Sequence, residues 1–149
     1  MINAIAFTVP GEPQGKGRAR VGTIGGHARM FTPAKTVAYE GLIAHAAQLA
    51  MQGAAPLLGD CRLEVEIVCS VPASWSQRKR AAALQGDIRP AKKPDSDNVL
   101  KAVCDGMNGV VWKDDVQAVE GWWRKTYGET PGLRVRVCAL TAPIMGATA

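Results

Sequence analysis

The sequence predicts an α+β fold: one compact domain, with two to three helices packed on a mixed or antiparallel sheet and a basic hairpin or loop near the N-terminus. Three observations carry this. The chain has 149 residues, 47% of them hydrophobic, which is near the commonest size for one domain and enough to enclose a core. Segments that alternate apolar and polar residues suit half-buried strands, and segments of helical period lie between them. Clusters of glycine and proline separate the two kinds.

Taken in order, Ile2 to Val9 reads as an opening strand, and Gly11 to Gly17 is too rich in glycine and proline for regular structure. From Lys16 to Lys35 the charged residues are Lys16, Arg18, Arg20, Arg29 and Lys35, with no acid among them. Gly25-Gly26 in their midst is a hairpin signal, so the segment is expected to be a basic two-stranded arm. Thr32-Pro33 followed by an alanine-rich run to about Gln52 reads as a helix with Pro33 in its first turn. Cys61 to Val71 alternates, with Arg62, Glu64 and Glu66 on the outer face, and Pro72 ends it.

Ser74 to Gln85 is a short helical candidate, and Gly86 to Pro94 is irregular and basic. Asn98 to Met107 is helical, with Val99, Val103 and Met107 on one face and Asn108-Gly109 as its stop. Val116 to Tyr127 and Leu133 to Leu140 read as two antiparallel strands joined by a turn at Glu129 to Gly132, with Arg134 and Arg136 facing out. The domain is expected to span residues 1–141, and residues 142–149 to form a flexible tail.

Composition narrows the function. No stretch reaches the roughly 18 to 20 apolar residues of a membrane helix, and Met1 to Pro10 lacks the pattern of a secretory signal. A soluble, cytoplasmic protein is the expectation. Cys61, Cys69, Cys104 and Cys138 form no C-x-x-C pair, and with only His27 and His45 beside them they argue against structural zinc and for reduced thiols. The net charge is +5, yet the window Asp95 to Asp115 holds five aspartates against Lys101 and Lys113. A basic body around one acidic focus suits a polyanion brought to a cation-binding centre.

The acidic run is Lys92-Lys-Pro-Asp95-Ser-Asp97-Asn98-Val-Leu-Lys101, followed by Asp114-Asp115-Val-Gln117. Pro94 biases its neighbourhood toward extended backbone, and if that extension continues, Asp95 and Asp97 point to one side and share a cation. Magnesium or manganese takes oxygen ligands and needs few protein carboxylates, so this pair plus Asp114 or Asp115 is sufficient. Alternatively, Asp95 or Asp97 caps the helix and Asp114-Asp115 is a solvated turn.

Lys93 to Ala102, Asp105, Asn108 to Asp115 and Gln117 together resemble the signature of the RusA family of Holliday-junction resolvases. Pro10 to Arg20 and Thr32 to Glu40 also resemble segments of its phage-type members. The resemblance implies a homodimeric, Mg²⁺-dependent endonuclease, with Mn²⁺ as substitute, that binds four-way DNA junctions and nicks two opposed strands symmetrically. It implies that Asp95, Asp97 and Asp115 hold metal and that Lys101 is the essential lysine. The segment between Asp105 and Asp115 is one residue shorter than in some members, which leaves Asp114 open as the third acid. No organic cofactor and no membrane partner are expected.

Lys16, Arg18, Arg20, Arg29, Arg78, Lys79, Arg80, Arg89, Lys92 and Lys93 are the candidates for holding the DNA backbone. Trp75, Trp112, Trp122 and Trp123 suit a core or interface more often than base stacking. A DNA-binding module without catalysis would account for the basic charge but not for the combined aspartate and lysine set. A small-nucleotide phosphohydrolase would share the carboxylates, yet no glycine-rich phosphate loop of the Walker type is present.

Overall fold

The computed structural model describes residues 2–17 and 19–140, and for Arg20 the backbone alone. Its elements are β1 (Ala4–Pro10), β2 (Arg20–Ile24), β3 (His27–Phe31), α1 (Ala34–Met51), β4 (Cys61–Ser70), α2 (Gln77–Gln85), α3 (Ser96–Met107), a single 3-10 turn (Asp115–Gln117), β5 (Ala118–Gly128) and β6 (Gly132–Ala139). Four strands form a mixed sheet in the order β1-β6-β4-β5, in which only β4 and β5 are parallel. The α+β architecture expected from the sequence is therefore the one observed.

One expectation needs correction. The segments read as strands joined by a turn at Glu129 to Gly132 do run in opposite senses, but β4 lies between β5 and β6 and pairs with both. The parallel β4–β5 pair requires a long crossover, and α2 and α3 occupy it. The turn thus spans a strand instead of closing a hairpin.

Among the described residues, one face of the sheet is sealed by helices and the other is not. Ile5, Phe7 and Val9 of β1, Val65 and Ile67 of β4, and Leu133, Val135 and Val137 of β6 join a single buried cluster with α1 and α3. Tyr39, Ile43, Ala47 and Met51 recur every four residues along α1, and Val99, Val103 and Met107 do the same along α3. The valines, isoleucine and methionines among them each contribute roughly 1.5–3 kcal/mol by leaving water. Burial also pushes the Tyr39 phenol up to about 12, so it stays neutral.

The two helices cross at Gly106. A Cβ there would stand 2.7 Å from Ile43 Cγ2 and 3.1 Å from the Glu40 carbonyl oxygen, so a larger residue would push α1 and α3 apart. This close approach places Glu40 of α1 near Asp105 of α3. The basic arm is a hairpin of β2 and β3 with its turn at Gly25-Gly26, as expected, and it forms a separate two-stranded sheet. Among the described residues no helix is long and apolar enough to cross a membrane. The expected C-terminal tail, residues 142–149, lies outside the described residues.

Candidate active site

The segment leading into α3 is held from the neighbouring strand. Lys125 of β5 donates through Nζ to the carbonyl of Lys92 and, at 2.9 Å, to that of Pro94. Extended backbone ends at Asp95, the N-cap, and Asp97 already belongs to the first helical turn. The expectation that extension runs through both aspartates is therefore wrong, because helix geometry starts at Ser96. Both side chains are exposed at the positive end of the helix dipole, and among the described residues neither carboxylate takes part in an ion pair.

The third acid comes from the turn before β5. Gln117 organises it: its Oε1 accepts from the Lys113 and Asp114 amides at 3.0 and 3.3 Å, while its Nε2 donates to the Leu57 and Gly59 carbonyls. Asp115 is thereby half-buried, with Oδ2 3.8 Å from Lys101 Nζ, whereas Asp114 is exposed. Of the two candidates left open by the sequence, Asp115 is the one beside the lysine. Lys101 makes its nearer contact with Asp105 Oδ1, at 3.3 Å one turn along α3, and makes none with Asp97.

Lys16 departs most from its expected place. Instead of reaching out with the basic arm, its ammonium lies against Asp105 Oδ2 and 3.2 Å from Glu40 Oε1. The backbone explains this: the Lys16 amide donates to the Asn98 carbonyl at 2.9 Å, and the Gly17 amide donates to Thr36 Oγ1 at 2.8 Å. A Cβ at Gly15 would meet Asn98 Cβ at 2.9 Å, so glycine is what lets the loop lie on α3.

The electrostatics follow from these contacts. Burial pushes the Asp105 carboxyl up, but hydrogen bonds and charge from Lys16 and Lys101 outweigh it and hold the group below the usual carboxylate range. The same bonds raise both ammonium groups: the Asp105 hydrogen bond is the main cause for each, opposed by desolvation and, for Lys16, aided by Glu40. Cys104, beside them on α3, is driven to about 11, chiefly by burial and then by Asp115 and Asp105, so its thiol stays protonated near neutrality.

Among the described residues no three His, Cys, Asp or Glu side chains are already gathered as a metal cage. The donor types nevertheless suit a hard divalent cation: Asp95 and Asp97 offer unpaired carboxylate oxygens at the start of α3, and Asp115 offers another beside Lys101 of the same helix. Of the basic candidates, Arg29, Arg78, Arg89 and Lys93 are exposed. Lys79 lies over the Trp75 ring, Lys92 over Tyr127, and Arg80 donates to the Pro72 carbonyl. Arg18 and the Arg20 side chain lie outside the described residues. Trp112 is wholly buried and donates to Asn108, which removes it from any stacking role, while Trp122 and Trp123 are 44% and 49% exposed.

Residues 10–138 match the family described as Endodeoxyribonuclease RusA. The chain belongs to the RusA family. It is also 33% identical over 143 residues to an uncharacterized protein, YqaN, of Bacillus subtilis (strain 168), a match covering 95% of this chain and all of that protein. RusA membership makes it a member of a DNA endonuclease family that binds and resolves Holliday junctions. Sequence reasoning missed Lys125, Glu40 and the inward turn of Lys16. For Lys16 a signal existed in the flanking glycines, which permit close contact with another backbone.

Proposed function

We propose that the chain cuts four-way DNA junctions by paired, symmetric nicks, using Mg²⁺, with Mn²⁺ as a substitute, at Asp95, Asp97 and Asp115. One observation carries this reading: Lys101 is held 3.3 Å from Asp105 and 3.8 Å from Asp115, one helical turn from the unpaired carboxylate of Asp97. A divalent ion on these carboxylates supplies the Lewis acidity that activates water and relieves charge on the leaving oxygen. The protein's own part is positional. The start of α3 presents two carboxylates, the Gln117-bound turn presents the third, and the Lys101 ammonium stabilises charge developing on the attacked phosphate.

Arg18, Arg20, Arg29, Arg78 to Arg80, Arg89, Lys92 and Lys93 hold the DNA backbone in this reading. A junction presents equivalent strands about a two-fold axis, so paired cuts by so small a protein follow most simply from a C2 homodimer with one site per subunit. Residues 1–141 carry the activity, and the protein works in the cytoplasm.

The test is a purified protein incubated with a synthetic four-way junction, with and without Mg²⁺. Paired nicks near the crossover that vanish with EDTA are expected, together with a dimeric mass by light scattering. Tight junction binding with no cleavage in Mg²⁺ or Mn²⁺ would replace the nuclease reading with that of a branched-DNA-binding protein.

A further inference from the structure

We propose that Lys16 is a second phosphate-contacting cation of the active site, and that Asp105 positions it together with Lys101 as a pair. The inference rests on the nuclease reading above. Asp105 is the only carboxylate among the described residues that contacts both ammonium groups, one through each oxygen. It is poorly placed to meet DNA itself, since its side chain is 18% exposed while those of Lys16 and Lys101 are 28% and 57% exposed. The carboxylate is thus covered by the two lysines, which keep a path to solvent.

The geometry of the loop supports a positioned group more than a general DNA clamp. A clamp gains from a long, mobile stem, but Lys16 is fixed at its backbone to Asn98, three residues before Lys101 on α3. Gly15 and Gly17 are pressed against Asn98 on one side and against Pro33 and Thr36 on the other. The loop backbone therefore rests on the starts of α1 and α3 and delivers one cation between Glu40 of α1 and Asp105 in the last turn of α3. Two ammonium groups would repel each other there, and the shared carboxylate offsets that repulsion.

Both lysines are then prepared for a dianionic phosphate in the transition state, where charge exceeds that of the ground-state diester. Preorganised cations act more strongly on the transition state than on binding, which separates this role from backbone grip. Glu40 completes the arrangement by drawing the Lys16 ammonium from the α1 side.

The experiment compares wild type, Lys16→Met, Lys16→Arg and Asp105→Asn in single-turnover cleavage of a four-way junction, with junction affinity measured separately in EDTA. Methionine keeps the stem and removes the charge, and a thermal melt verifies folding of each variant. Lys16→Met should slow cleavage on the order of tenfold to a hundredfold with affinity within about threefold. Lys16→Arg should recover most of that rate, and Asp105→Asn should slow cleavage by on the order of tenfold. In the double variant the Lys16→Met and Asp105→Asn effects should also combine to less than their product, because Asp105 acts in part through Lys16. A Lys16→Met rate within about threefold of wild type, or a rate loss matched by an equal affinity loss, overturns the inference while leaving the nuclease reading intact. A folded wild type that binds the junction but never cuts it defeats both.

Discussion

Two regions of the molecule carry alternating acids and bases within ion-pairing distance, and they differ in what is left over. On the open face of the sheet, Glu66 lies 3.7 and 3.6 Å from Arg124 and Arg134, and Glu64 lies 3.8 Å from both Arg62 and Arg136. Around Asp105, two lysines face Glu40, Asp105 and Asp115, with Asp95 and Asp97 at the helix start besides. Burial does not separate the regions: Glu64 and Glu66 are 14% and 20% exposed, much like Asp105. Charge surplus does. The sheet face has more cations than anions and each glutamate is satisfied by strand register, whereas the α3 region has an excess of carboxylate that a divalent cation would relieve.

Breaking the second region at its surplus should have the largest effect. Asp97→Asn keeps size and helix position but removes a carboxylate charge, and single-turnover cleavage should fall by several kcal/mol of barrier, on the order of a thousandfold. Junction affinity in EDTA should stay within about threefold, and Asp95→Asn and Asp115→Asn should behave alike. Loss of binding in step with cleavage in a folded variant would make the surplus structural. Next in size is Lys101→Ala. Its ammonium pairs with Asp105 and Asp115 and not with Asp97, and if exposed pairs of that kind were its whole role, its loss would cost a few tenths of a kcal/mol in stability and leave the rate alone. Removal should cost about 3 kcal/mol, or roughly a hundredfold in rate, at little cost in affinity.

The comparison also explains what was legible in the sequence. Strands β1, β4 and β6 were readable because one face of each is buried, which imposes a period of two on their own residues. Strand order was not, because the insertion of β4 between β5 and β6 depends on contacts between distant segments. At the candidate site, the proposed Asp95, Asp97, Lys101 and Asp115 lie in one continuous stretch of motif. The inward placement of Lys16 was not legible, because the carboxylate it meets is 89 residues away. Lys125 was missed for the same reason, since its partners are backbone carbonyls 31 and 33 residues back, which leave no mark in residue type.

A smaller effect sharpens the choice within the acidic pair. Asp114 is exposed and precedes the 3-10 turn, while its neighbour faces Lys101. Asparagine is as good a residue as aspartate at such a position, so Asp114→Asn should keep cleavage within about threefold and melt almost as wild type. A collapse of activity in Asp114→Asn together with an active Asp115→Asn would exchange the two roles.

The smallest effect belongs to the sheet face. Arg134 reaches Glu66 from β6 with 65% of its side chain exposed, and Arg124 contacts the same glutamate from β5. Loss of one arginine leaves the carboxylate with the other, so no unpaired buried charge results. Exposed pairs of this kind contribute about 0.2–1 kcal/mol. Arg134→Ala should therefore lower stability by no more than about 1 kcal/mol in urea unfolding, with the loss shrinking as salt rises. Cleavage and junction affinity should be unchanged. The informative failure is a variant of normal stability and normal rate whose junction affinity drops and whose salt dependence flattens, because that would put a phosphate on Arg134. The open sheet face would then be a DNA-gripping surface, and the contrast with the α3 region would be one between binding and cutting.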